Sequence, residues 1–374
     1  MAGYRPENKE STTLVDRSGL PSHALEFIAY RLPTEDLIDF SQTCSYWRNV
    51  VVQLRGSFEL RISVPWLLIM DQTRPDLCGF FSPRRRSFYE FPLPQVRGRR
   101  CLSSRGWIMT IGSDRDVQMF NPLPRGRART EGSASKPQGL PITDRQIGKF
   151  VLSTCPSSSA QPEIMVLCDS DRRLGLWNYR DNAWTMVSPD RIYMDLIYHE
   201  CRFLAVDAIG TIRAFEAKQD GPNPATDGRV VARRPRGLID FKRFKKHYLV
   251  EWSGSLLVVT QEWQDEFETS GFQAFLLDLE ASTWTKVDSL GNTSLFLGLN
   301  SSFSMEVTDQ HGGIEPNCIY FTDDRTYKLT KGEDMGIYHM ADGRIEPLFG
   351  DGTPVCPNST PLWIEPQCGV SEDY

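Results

Sequence analysis

Five histidines, at 23, 199, 247, 311 and 339, are the obvious places to look for proton transfer or metal ligation, and they are dispersed along the chain. Asp195, His199 and Cys201 offer three donor types close together. On a strand, residues 199 and 201 share one face, but these donors alone fall short of the set that zinc takes, and a surface turn is the better reading. Asp169-Ser170-Asp171 has the spacing that opens a calcium loop, yet no Gly stands at the sixth position and no Glu at the twelfth. A hairpin turn explains it, and Asp323-Asp324 fits a turn after a strand. The chain has no Gly-x-Ser-x-Gly elbow, no Walker loop, no Gly-x-Gly-x-x-Gly and no His-Glu-x-x-His. The expectation is a protein without catalytic residues, metal or cofactor.

Lys242-Arg243-Phe244-Lys245-Lys246-His247, flanked by Phe241 and Tyr248, is the one basic–aromatic cluster. It has the composition of an acidic-partner or nucleic-acid contact, or of an import signal. A solvated loop, or a strand edge that Lys keeps from pairing, accounts for it with less. Arg84-Arg85-Arg86 in a hairpin turn reads the same way. A net charge of −6 over 374 residues argues against general nucleic-acid binding.

The elements that would position any such residues fall into two classes. Leu25, Ile28, Ala29 and Leu32 recur at i, i+3, i+4, i+7, as do Trp47, Val50, Val51 and Leu54. Between them Thr34 is placed to cap a helix with Glu35 and Asp36 in its first turn, and Gly56 to stop the last one. Three short helices follow, over about 35 residues. A unit that small rarely buries a sufficient core, so a partner should cover some of its apolar side chains. After Gly56 the pattern turns to strands. Short apolar runs bounded by Gly, Pro, Asn and Asp recur, among them 66–70, 107–111, 117–120, 164–168, 203–206, 212–215, 256–259 and 275–279. Trp184-Thr185-Met186-Val187 and Trp284-Thr285-Lys286-Val287 each follow an apolar strand and a polar turn, 100 positions apart. That is twice a period of about 50, the size of one propeller blade, and predicts about six blades. Arg125–Gln146 and Lys218–Arg236 are rich in Gly, Pro, Ser and Arg and read as long surface loops between strands.

Nine scattered cysteines without Cys-x-x-Cys, and no apolar leader, imply free thiols in a reducing compartment. The longest apolar run, Val64–Met70, is too short to cross a bilayer.

The Leu20-Pro21 opening, Leu25-x-x-Ile28, Leu37-Ile38 and the Cys44-x-x-Trp47-Arg48 close resemble an F-box. The ordered series Gly298, then Asn317-Cys318-Ile319-Tyr320-Phe321-Thr322-Asp323-Asp324, then Gly336, and finally Pro361-Leu362-Trp363-Ile364-Glu365-Pro366 resembles the end of the KIB-type, kelch-like β-propeller behind plant F-boxes. The fold class implied is mainly β: an N-terminal three-helix F-box followed by a kelch-like propeller. The expected boundaries are a disordered leader at 1–19, the F-box at 20–56, the propeller at 57–366 and a tail at 367–374.

The resemblance implies a substrate-receptor subunit of an SCF (Skp–cullin–F-box) ubiquitin ligase, in the nucleus and/or cytoplasm. Its partners would be a Skp-type adaptor, through it cullin, and a target protein for ubiquitination. Leu20, Pro21, Leu25, Ile28, Leu32, Leu37, Ile38 and Trp47 would be adaptor contacts or local core. Gly298, Asn317, Ile319, Tyr320, Phe321, Asp323, Asp324, Gly336, Pro361, Trp363 and Pro366 read as fold-forming. The alternative is an interaction scaffold or decoy outside a ligase. It draws on Ser22-His23-Ala24-Leu25, which stand where F-boxes usually carry an acidic residue and Leu-Leu after Leu-Pro.

Overall fold

The structure is a computed structural model that describes residues 19–54, 64–70, 77–112, 117–120, 147–154, 163–168, 172–178, 183–188, 190–215, 228–235, 245–264, 268–323, 334–349 and 361–366. The leader, Gly56, loop 125–146, most of loop 218–236, Asp169–Asp171, Asp324 and the tail lie outside these residues. The chain divides into two compact units, a helical one up to Ser63 and a strand-built one from Val64 onward.

The helical unit holds Ser22–Ala29 (α1), Thr34–Thr43 (α2) and Ser45–Leu54 (α3). Leu25, Ala29, Leu37, Phe40, Val50 and Leu54 form its core, with Trp47 against Phe40 at 4.2 Å between ring centroids. Thr34 does not cap α2. Pro33 holds the N-cap position, the Leu37 N–H donates to the Pro33 carbonyl, and Thr34 is already the first helical residue. Pro33 fixes a backbone angle suited to helix entry, which displaces the start by one residue. Glu35 and Asp36 do sit in the first turn.

The strand-built unit is a six-blade β-propeller. The first blade contains Trp66–Met70 (β1), Leu77–Ser82 (β2) and Ser87–Pro92 (β3). The second contains Arg100–Ser104 (β4), Trp107–Ile111 (β5) and Val117–Phe120 (β6). Ile147–Leu152 (β7), Ile164–Cys168 (β8), Leu174–Asn178 (β9) and Ala183–Val187 (β10) make the third, and Tyr193–His199 (β11), Arg202–Asp207 (β12), Thr211–Phe215 (β13) and Arg229–Arg233 (β14) the fourth. The fifth is Lys245–Trp252 (β15), Ser255–Trp263 (β16), Thr269–Asp278 (β17) and Thr283–Val287 (β18). The sixth has Thr293–Leu297 (β19), Phe303–Glu306 (β20), Cys318–Phe321 (β21), Gly336–His339 (β22) and Ile345–Pro347 (β23). Leu362–Ile364 (β24) then returns to pair antiparallel with β1, so the two ends of the propeller sequence share one sheet.

Burial explains why these short sheets hold. Each core lies between neighbouring blades. Leu102 and Met109 meet Phe150 and Val166 between the second and third. Val151 and Leu167 meet Leu196 and Phe203 between the third and fourth. Leu204 and Val206 meet Leu249 and Val258 between the fourth and fifth, and Val250 and Val259 meet Leu295 and Ile319 between the fifth and sixth. A blade therefore buries its faces only against its neighbours. The Trp-Thr-x-Val repeat occupies β10 and β18, the outer edge of the third and fifth blades.

Loop 218–236 is shorter than the sequence suggests, because Arg229–Arg233 pairs with β13 as a strand. Lys246 and His247 are not solvated either. Both are buried in β15, with the Lys246 ammonium 4.6 Å from the Tyr248 ring centroid and His247 Nδ1 3.1 Å from Thr260 Oγ1. The strand begins at Lys245, so Lys246 and His247 of the basic cluster have become sheet interior.

Candidate functional site

The helical unit exposes part of its apolar set. Leu25 and Leu37 are core, Leu32, Ile38 and Trp47 are half-buried, and Leu20, Pro21 and Ile28 are exposed. The eight predicted contacts thus divide between core and surface. Helical spacing missed Phe27, Tyr30 and Val52, whose side chains are also exposed, Phe27 by 60 % and Val52 by 46 %. The Arg31 guanidinium lies 3.4 Å from the Phe27 ring centroid and donates to the Phe27 carbonyl at 3.2 Å. Phe27 and Val52 lie on α1 and α3 outside the i, i+3, i+4 stripe, and Tyr30 is the C-cap of α1.

In the propeller, β24, β4, β7, β11, β15 and β20 are end strands of their sheets and lie in sequence against one another, which makes them the inner ring. Polar side chains tie this ring together. Asp195 on β11 accepts from Lys149 Nζ on β7 at 2.6 Å and from the Leu249 N–H on β15 at 2.7 Å. One carboxylate therefore links three blades. Glu365, just past β24, accepts from Ser301 Oγ at 2.8 Å and from the Arg105 N–H at 3.2 Å, linking the first blade to the sixth and second. Arg105 Nε donates across to the Leu152 carbonyl at 3.2 Å, and Ser304 Oγ to the Glu251 carbonyl at 2.6 Å.

These strands enclose a cavity of about 260 Å³, lined among others by Arg105, Lys149, Tyr198, Glu251, Asn300 and Glu365. Burial pushes the Glu365 carboxyl above its ordinary pKa, against the lowering effect of the Ser301 hydrogen bond and the Arg105 charge. Asn300 is 2 % exposed, and neither its amide oxygen nor its nitrogen has a hydrogen-bond partner among the described residues. Hydroxyls, an amide and both signs of charge thus face one polar space.

The C-terminal signature residues surround β24 and the sixth blade. Trp363 is buried, its ring 5.1 Å from that of Phe296 and its Nε1 donating to the Leu297 carbonyl at 3.1 Å. A Cβ on Gly298 would stand 3.1 Å from both Thr322 and Trp363, and one on Gly336 would stand 2.6 Å from the Glu346 carbonyl oxygen. The approach at Gly336, against backbone, leaves no room for a side chain, while at Gly298 the neighbouring side chains would have to give by a few tenths of an ångström. Ile319 and Phe321 point into the core shared with the fifth blade, while Tyr320 stacks on Phe296 at 4.8 Å. Asn317 adopts φ 58° and accepts from the Leu290 N–H at 2.7 Å, closing a turn. Asp323 and Pro361 are buried and Pro366 is half-buried.

Asp195, His199 and Cys201 do not converge. Asp195 is committed to Lys149, His199 ends β11, and Cys201 sits exposed in the turn that follows. Among the described cysteines, burial pushes Cys78 and Cys318 to a pKa of about 11 and Cys101 to about 12, values that keep all three as thiols in the metal-free chain.

The family model described as KIB1-4 beta-propeller matches residues 80–339, more than half of the chain. The chain belongs to the KIB1-4 β-propeller family. The F-box domain model matches residues 18–56, across the three helices. Among curated relatives, a putative F-box protein of Arabidopsis thaliana is 22 % identical, over 88 % of this chain and 92 % of its own. A second F-box protein of that plant is 24 % identical over 89 % and 96 %, and an F-box/kelch-repeat protein 23 % identical over 93 % and 94 %. This KIB1-4 chain therefore joins an F-box to a propeller, the make-up of an F-box substrate receptor, and no catalytic family is indicated. F-box domains in general bind Skp-type adaptors. No helix among the described residues is long and apolar enough to cross a membrane.

Proposed function

We propose that this protein is the substrate-receptor subunit of an SCF-type ubiquitin ligase: the helices dock on a Skp-type adaptor, and the propeller holds a target for ubiquitin transfer. The observation that carries this is the helical unit, which matches an F-box and leaves Leu20, Phe27, Ile28, Tyr30 and Val52 in water. Burial on a partner would recover about 25 cal/mol for each Å² covered. The receptor itself makes and breaks no bond. It raises the effective concentration of a target lysine near the charged E2 enzyme.

On the target side, the reading favours the cavity together with the Gly-, Pro- and Arg-rich segments 125–146 and 218–236. Loops on a rigid scaffold concentrate binding residues, and Asn300 offers two unused hydrogen-bonding atoms.

Co-purification from plant cells tests the adaptor half. Wild-type chain should bring down the adaptor and cullin, and Leu20→Ala/Pro21→Ala and Phe27→Ser variants should not. Adaptor absent from the wild-type eluate would overturn the ligase reading. One observation favours a scaffold instead: α1 has no acidic residue in its first turn, and Ser22 and His23 stand exposed there. A scaffold would keep its propeller partners and show no cullin.

A further inference from the structure

Three donors that sequence spacing does not connect meet in the sixth blade. Cys318 on β21 and His339 on β22 are directly paired in register, which brings Sγ to 3.4 Å from Nδ1. Glu315, three residues before Cys318, places Oε2 3.8 Å from the same Nδ1. All three donor atoms lie within 4.8 Å of one another. Zinc bonds of about 2.3 Å to sulfur and about 2.0–2.2 Å to nitrogen and oxygen give tetrahedral ligand–ligand edges of about 3.4–3.6 Å. The two edges to His339 Nδ1, 3.4 and 3.8 Å, match that figure to within a few tenths of an ångström, and the exposed Glu315 side chain rotates to bring its oxygen to the same distance from the sulfur.

The surroundings point the same way. The other ring nitrogen of His339, Nε2, is buried without a hydrogen-bond partner among the described residues and faces Glu346 Oε1 at 3.6 Å, an oxygen that also pairs with the Arg344 guanidinium. A carboxylate behind the non-ligating nitrogen is the usual orienting partner of a zinc-bound histidine. Arg86 takes the remaining oxygens, Glu346 Oε2 at 3.3 Å and Glu315 Oε1 at 3.9 Å, and leaves Glu315 Oε2 turned to the histidine. The backbone carrying the donors is pinned independently of them. The Glu315 N–H donates to Tyr320 Oη at 2.9 Å, Ser294 Oγ donates to the Glu315 carbonyl at 2.5 Å, and the Met340 N–H donates to the Asn317 carbonyl at 3.1 Å.

We infer that Glu315, Cys318 and His339 form a zinc-binding site with one coordination position left open on the solvent side, where Glu315 is half exposed. Thiolate and imidazole select zinc over magnesium or calcium, which take oxygen ligands. Three protein ligands leave the fourth place to water or to a donor from a bound partner. Metal enters past Glu315, since Cys318 and His339 are buried.

Cobalt(II) titration of the purified full-length chain reads this directly, because a thiolate bound to cobalt gives a near-ultraviolet charge-transfer band. We expect one equivalent to produce the band and zinc to displace it. Cys318→Ser and His339→Gln should abolish it, although eight other cysteines remain in Cys318→Ser. Glu346→Gln should weaken binding about 10–100-fold without removing the band. A band that survives in Cys318→Ser, or no band in the wild type, overturns the proposal. Glu315→Ala, at an exposed position that the fold tolerates, guards against loss of folding in the buried variants. It should weaken zinc at least tenfold, and an unchanged affinity would remove Glu315 from the site.

Discussion

Asp195 shows how much of this propeller rests on single polar residues. Lys149 and Asp195 are each about 95 % buried, and the carboxylate also takes the Leu249 N–H. Asp195→Ala leaves an ammonium uncompensated in the interior and should cost about 3–5 kcal/mol in chemical denaturation of the propeller. Lys149→Met/Asp195→Leu removes both charges and leaves only the Leu249 N–H without an acceptor, a loss of about 1–3 kcal/mol. The double variant should therefore be more stable than Asp195→Ala; the reverse order would mean that the pair does not bridge the blades. Asn300 predicts the opposite sign. Its unpartnered amide already carries a desolvation penalty, so Asn300→Leu should raise the melting temperature while lowering target capture, the trade that a binding residue makes with stability. Glu365 adds a pH dependence. Its folded pKa lies above the unfolded value, so the folded state holds the extra proton. The resulting stabilisation is complete below the ordinary carboxylate pKa and is lost as pH rises through the folded value. Glu365→Gln should flatten that slope in pH-dependent melting curves. None of these roles was legible beforehand. Lys149 and Asp195 lie 46 positions apart, and Cys318 and His339 lie 21 apart. Only the sheet register brings such pairs together.

At the scale of elements, legibility followed hydrophobic pattern. The apolar runs at 66–70, 107–111 (broken only by Thr110) and 164–168 are β1, β5 and β8 to the residue. All three are second strands of their blades, covered on both faces. The inner strands were harder, because a ring around an axis carries polar residues toward that axis. Lys149, Asp195, Lys246 and His247 interrupt β7, β11 and β15 where a simple alternation would need apolar side chains. The basic cluster at 242–247 looked solvated for that reason. The helices were legible as helices, but their surface was not, since i, i+3, i+4 spacing identifies what is buried and says little about which remaining apolar residues stay wet. Two substitutions separate these roles. Leu25→Ala, at a side chain fully buried among α1, α2 and α3, should destabilise the helical unit by about 2–5 kcal/mol. Phe27→Ser should cost no more than the lost Arg31 stacking, about 0.5–1 kcal/mol, yet abolish adaptor binding. Circular dichroism melts combined with pull-down distinguish the two, and a Phe27→Ser chain that still binds adaptor would move the contact surface elsewhere.

For the whole molecule, the pairing of β24 with β1 closes a ring whose blades bury their faces only on one another. Opening it exposes β1 as an unpaired edge and uncovers Phe296, which packs on Trp363, and Tyr320 stacked on it, both buried in the closed ring. Trp363→Ala removes the largest side chain of β24 and one of the donors to the Leu297 carbonyl, which keeps the Thr322 N–H, and should cost about 3–5 kcal/mol. Ending the chain before Leu362 should go further and yield aggregation-prone protein. Removal of the helices should behave differently, because they hold a core of their own and belong to a separate unit. A chain lacking residues 19–54 should keep the full-length propeller melt and its target contacts in proximity labelling. It should also protect the target, since a receptor that grips without reaching the adaptor withholds the target from ubiquitin transfer. Target abundance that falls equally with the full-length and helix-deleted chains would show that the propeller acts outside a ligase.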